Sequence, residues 1–146
     1  MSPAVPAQGM VAERLAWLRE RHPGWEITTV LTGWDQRRMW RARRDPADPE
    51  AVAEAAAATA ADLDAALTHY SGLDPLRRVH GATWEVGSHL PAVGVPAWCW
   101  ARRRTRLGGR WPGVHDVVEA PTPARLAAVL RQQRERELRV RGVLGR

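Results

Sequence analysis

The chain has 146 residues, 22 Arg with no Lys, 16 Asp and Glu, and a formal charge of +6. That length admits one domain, or two small units of about 60–70 residues that are marginal alone and gain by sharing a core. A lone Cys99 excludes an intrachain disulfide framework, MSPAVPAQG lacks a signal peptide's basic start and apolar stretch, and the charge-free run His89–Ala101 is too short and Pro-rich to cross a bilayer.

A soluble, cytoplasmic protein is therefore expected. Residues 1–8 read as a disordered leader. Val11, Leu15 and Leu18 recur at helical spacing, with Met10 and Trp17 widening the stripe, and Pro23-Gly24 ends that helix. Trp25, Ile27, Thr29 and Leu31 then alternate onto one face of a strand. A turn at Gly33 leads to a second strand, Met39–Arg43. A third, Ala51–Ala55, is weaker, because Ala and Glu equally suit the start of a helix. Thr59 caps the next helix, with Thr59-x-x-Asp62 in the form of a capping box and Leu63, Ala66, Leu67 and Tyr70 as its stripe. Gly72 is expected to stop it, and Asp74-Pro75 to start a short helix (Leu76, Val79) ending at Gly81.

The pattern then starts again. Trp84, Val86, Ser88 and Leu90 alternate as the first strand does, a turn contains Gly94, and Trp98–Arg102 and Val114–Val118 follow as strands. Thr122 caps the final helix, Pro123 takes its first position, and Leu126, Val129 and Leu130 form its stripe. Beyond Leu130 the helix is expected to run about two more turns and then project or fray.

Residues 25–44 align on 84–103 without a gap, at an offset of 59. Trp25/Trp84, Glu26/Glu85, Leu31/Leu90, Ala42/Ala101, Arg43/Arg102 and Arg44/Arg103 are identical. TAADLDAAL (59–67) matches TPARLAAVL (122–130) at an offset of 63, so the intervening loop is longer in the second copy. A repeat constrains the whole fold. The expected architecture is α+β: two tandem α-β-β-β-α repeats with antiparallel sheets, pseudo-twofold, the sheets packed together or continued edge to edge. Its parts are a leader (1–8), repeat 1 (9–72), repeat 2 (73–133) and a basic C-terminal tail (134–146), forming one compact unit.

The copies diverge where a function could be added. Residues 1–75 carry 8 Arg against 11 acids, and residues 76–146 carry 14 against 5. The loop after the second strand reads RRDPADPE in the first copy and RRRTRLGGRW in the second. Arg102, Arg103, Arg104, Arg106 and Arg110 around Gly108-Gly109, ending in Trp111, suit phosphate contacts with base stacking. The plainer alternatives are a solvated rim, or docking onto the acidic loop of another copy. Trp98 and Trp100 share a parity opposite to Cys99 and Ala101. Packing between the sheets is favoured for the two indoles, because Trp buries a large area; an exposed pair would be a binding platform.

Catalytic patterns are absent. No HExxH, CxxC or Gly-x-Ser-x-Gly occurs, and His80, His89, Cys99 and His115 could meet only in space. Ser88-His89 are strand neighbours that face opposite ways. Glu26 and Glu85 lie off the apolar parity and are expected in solvent or paired with Arg43 and Arg102. No catalytic residue, metal or cofactor is expected.

The half-unit, His-Pro-Gly-Trp-x-Ile, then Trp-Arg-Ala-Arg, then Ala-x-Thr-Ala-x-x-Leu-x-x-x-Leu, resembles small Trp- and Arg-rich actinobacterial proteins of unassigned function, in which the unit occurs once. The α-β-β-β-α order is also similar to that of double-stranded-RNA-binding domains. Their second helix opens with a Lys-rich phosphate-binding motif, where this chain has Thr59-Ala60-Ala61-Asp62 or Thr122-Pro123-Ala124-Arg125, so RNA binding does not transfer. The expected function is a non-catalytic protein-interaction or regulatory module with a protein partner or self-association and no membrane. The alternative is a nucleic-acid-binding protein using the second repeat.

Overall fold

The structure is a computed structural model that describes residues 11–89 and 97–142. The expected leader, Leu90, the Gly94 turn and the last residues of the tail lie outside the described residues. The fold is α+β, in the order α1 (Val11–Arg21), β1 (Glu26–Thr32), β2 (Arg37–Arg43), β3 (Glu54–Ala57), α2 (Ala60–His80), β4 (Trp84–His89), β5 (Trp98–Arg103), β6 (Val117–Ala120) and α3 (Pro123–Val140). Two antiparallel three-stranded sheets run β1-β2-β3 and β4-β5-β6, in two compact units, residues 1–70 and 71–146. Among the described residues no helix is long and apolar enough to cross a membrane.

In the first unit, α1 and the first half of α2 cover one face of the sheet. Leu18, Leu63, Leu67 and Tyr70 pack on Trp25, Ile27, Trp40 and Ala42, the strand residues of one parity. Each fully buried Leu or Ile here contributes about 1.5–3 kcal/mol of transfer free energy. Arg19 fastens α1 to the sheet by donating from its guanidinium to the Ile27 carbonyl at 2.8 Å. Asp64 of α2 receives Arg21 at 2.8 Å and His22 at 2.7 Å. Burial alone would raise the Asp64 pKa, but these two hydrogen bonds outweigh it and hold the carboxyl below its ordinary value. The Arg44 guanidinium lies 4.3 Å over the Trp25 ring while its Nε donates to the Val52 carbonyl at 2.7 Å.

The second unit repeats these devices. Leu73 and Leu76 of α2 and Leu126 and Leu130 of α3 pack on Trp84, Val86, Cys99 and Ala101. Arg77 donates to the Val86 carbonyl at 2.9 Å. Arg103 lies 4.3 Å over the Trp84 ring and its Nε donates to the His115 carbonyl at 2.9 Å. Thr122 caps α3 by accepting from the Arg125 N–H, as Thr59 accepts from Asp62.

Three expectations are corrected. Gly72 does not stop a helix: α2 is continuous from Ala60 to His80, with Pro75 inside it. Gly72 is there for a close approach, because a Cβ would sit 3.0 Å from the Pro123 ring. The third strands begin three residues later than expected, at Glu54 and Val117. Ala51 and Val114 are instead buried in the bends that precede them. Finally, the indoles of Trp98 and Trp100 are not on the core side of β5; that side belongs to Cys99 and Ala101.

Candidate functional site

The face of the second sheet turned away from its helices carries Trp98, Trp100 and Arg102 along the central strand. Trp100 is opposite Gly87 on one side and Glu119 on the other. Gly87 is needed there: a Cβ would overlap the Trp100 ring. The indole N–H of Trp98 donates to Glu119 Oε2 at 3.1 Å. Arg102 pairs with Glu85 at 2.6 Å and its guanidinium stands 5.7 Å from the Trp100 ring. Val117, directly opposite Arg102, is 53% exposed. The result is two half-buried indoles and an exposed Val, rimmed by two carboxylates and one guanidinium.

The basic loop does not gather into one cluster. Arg103 leaves the candidate set, because it is buried, stacked on Trp84 and paired with Glu137 at 3.0 Å. It shares the inward parity of Cys99 and Ala101. Arg104 turns back, donating from Nε to the Gly81 carbonyl at 2.7 Å. Asp116 organises the turn between them, accepting the N–H groups of Leu107 and Gly108 at 2.7 and 3.1 Å. Those hydrogen bonds, with Arg103 and Arg106 nearby, hold its carboxyl below the ordinary value. Trp111 lies between Arg110 at 5.9 Å and Arg141 at 4.7 Å. Arg106 is exposed and makes no hydrogen bond or ion pair among the described residues. Of the five loop arginines, Arg106 and Arg110 face solvent with no ion pair or backbone hydrogen bond among the described residues, Arg106 lying near enough to Asp116 to act on its charge.

Two features escaped the sequence reading, and both are in the first unit. Trp34, 97% exposed, stands at the tip of the β1–β2 hairpin, where Gly33 and Gln36 have positive φ. A Trp placed directly after a turn Gly, outside the strand alternation, is a signal that could have found it. The second is a cavity of about 540 Å³ on the outer face of the first sheet, lined by Glu26, Thr28, Arg41, Arg43, Glu54 and Ala56, with Ala42 and Ala55 beneath. Arg43 lies between Glu26 and Glu54, and Arg41 between Thr28 and Ala56.

Among the described residues no three His, Cys, Asp or Glu groups converge to hold a metal ion. Cys99 is buried, donates to the Ala120 carbonyl at 3.1 Å, and its thiol is pushed up to about 11 by burial, far from a reactive thiolate at neutral pH. No family model, curated protein or solved structure matches this chain.

Proposed function

We propose that the protein is a non-catalytic interaction module, built from two copies of one α-β-β-β-α unit, that binds a protein partner through the outer face of its second sheet. The observation that carries this reading is the composition of that face: Trp98, Trp100 and Arg102 along the central strand, with Glu85 on one side and Val117 and Glu119 on the other. Trp and Arg are the residues that most often dominate protein interfaces, around an apolar centre with a polar rim. Glu85 and Glu119 stand beside Arg102 and Trp100 on this face, and two carboxylates there disfavour the approach of phosphates.

The two-copy reading is supported by detail finer than strand order. Arg44 over Trp25 and Arg103 over Trp84 share a distance of 4.3 Å. Both arginines donate Nε to a carbonyl eight or twelve residues on, and those carbonyls, Val52 and His115, are related by the same offset of 63 that relates the two caps.

A photo-crosslinking residue at Val117, introduced in the cell of origin, tests the interaction. The expected result is a discrete protein adduct that disappears in a Trp98→Ala, Trp100→Ala background. No adduct, or one indifferent to those substitutions, overturns it.

A second reading, nucleic-acid binding, is favoured by the exposed guanidiniums of Arg106 and Arg110 beside Trp111. It requires a mobility shift with single- or double-stranded DNA or RNA that weakens steeply with salt and is lost on reversing Arg106 and Arg110 to Glu.

A further inference from the structure

We propose that the chain associates head to tail with a second copy of itself, the Trp34 indole of one molecule entering the outer-face cavity of the first sheet of the next. In the second sheet, Trp100 lies over Gly87; at the same register the first sheet has Arg41 opposite Thr28. The cavity lies where the second sheet is filled by its own indole, and at about 540 Å³ it accepts a ring of that size with room to spare. The outward side chains flanking Arg41 are Thr28 and Ala56, small groups over which an indole can lie.

Two charged groups in the cavity lack an ion-pair partner among the described residues. Arg41 and Glu26 make no ion pair among the described residues, and Arg43 meets Glu54 only loosely, at 3.9 Å. Elsewhere this protein stacks guanidiniums on indoles at 4.3–5.9 Å, as in Arg44 on Trp25 and Arg110 on Trp111, and sets a carboxylate on an indole N–H, as Glu119 does for Trp98. Arg41 and Glu26 offer both contacts to an incoming Trp. Trp34 is the exposed indole without such a contact among the described residues.

The hairpin tip also matches the cavity in charge. Asp35 and Arg37 flank Trp34 and pair with each other at 2.7 Å, with Arg37 largely in solvent. Docked, Asp35 reaches toward Arg41, and Arg37 toward Glu26 or Glu54. The occupant must come from another molecule. The strand runs extended from Thr28 to Thr32, about 13 Å at 3.3 Å per residue, and Trp34 lies beyond it in the turn, on a hydrogen-bonded hairpin that cannot fold back on itself. A contact between unlike patches is heterologous, so it propagates into chains or rings. One indole is a small interface, so the association is concentration-dependent and reversible.

Sedimentation velocity over a concentration series of the full chain is the test. The wild-type sedimentation coefficient is expected to rise with concentration. Trp34→Ser, which removes the knob, and Ala56→Phe, which fills the cavity from β3, are each expected to stay monomeric with an unchanged circular dichroism spectrum. Mixed together, these two variants retain one intact knob and one intact cavity and should give a 1:1 dimer and nothing larger. A monomeric wild type, a Trp34→Ser chain that associates like the parent, or a mixture that stays monomeric overturns the proposal. Trp98 and Trp100 take no part, so this result and the Val117 crosslink stand or fall separately.

Discussion

The outer faces of the two sheets begin from the same register and end as opposite surfaces. On the second, Trp100 covers Gly87 and Arg102 closes on Glu85 at 2.6 Å. On the first, Arg41 faces Thr28, Glu26 makes no ion pair among the described residues, and a cavity opens between them. The inner faces agree at Trp25 and Trp84, Ile27 and Val86, and Ala42 and Ala101, all buried alike, and differ at one place, where the first sheet buries Trp40 and the second Cys99. A face that must receive two helices is held to apolar side chains that fill the interior closely. An outer face has no such constraint, and it is there that the two sheets differ most in the charges and rings they present.

The strongest way to break this comparison is to remove the inner anchors. Trp25→Ala and Trp84→Ala should each cost about 3–5 kcal/mol, as large aromatic truncations in cores do. Chemical denaturation of the two variants should give similar losses. A loss at one site only would show that the matching arginine stacks do not mark equivalent cores.

Arg103→Ala sharpens the difference between the two stacked arginines. Arg103 is 4% exposed and holds Glu137, which Arg141 also meets at 2.9 Å, so its loss should cost about 1.5–3 kcal/mol, the range for a hydrogen bond to a charged group. Arg44 is half-buried, and its truncation should cost clearly less in the same assay.

On the outer faces, Gly87→Val should displace Trp100 and cost about 1–3 kcal/mol, typical of overpacking, with a red shift in tryptophan emission. Thr28→Val at the matching place in the first sheet should move stability by no more than about 0.5 kcal/mol, as isolated surface changes do.

Acid gives the smallest separation. Burial lowers the pKa of His69 in the first unit, and burial together with Arg134 and Arg131 lowers that of His80 in the second. The folded state of each therefore prefers the neutral ring. Their contribution is complete above the ordinary His value of 6.5 and is lost as pH falls from there through the depressed value. Melting temperature should decline on acidification below that point. His69→Leu, which also removes a buried ring nitrogen without a hydrogen-bond partner among the described residues, should flatten part of the decline.

Strand alternation made much of this fold legible, because two runs with the same parity, opening at Trp25 and Trp84, leave little choice of face. The helix caps Thr59 and Thr122 were equally plain. Gly72 misled because a glycine that ends a helix and one that lets Pro123 approach look the same in a sequence. Trp98 and Trp100 misled through size: alternation puts them opposite Cys99 and Ala101 but does not say which side the helices take. The packed helices chose the smaller pair. The cavity was not legible, since it depends on which side chain across the sheet, Thr28 or Gly87, lies opposite Arg41 or Trp100.

Cys99 gives the second unit a clock that the first lacks. Its sulfur is fully enclosed between the sheet and the helices, against Ala120, so a thiol reagent can reach it only when the second core opens. The chain has no other cysteine, so the labelling rate at a given pH counts openings of that one core. When resealing outpaces the reagent, that rate divided by the rate of an unstructured thiol is the equilibrium constant for opening. A chain with two similar cores thus lets one of them be timed while the other stays silent, with no engineered probe.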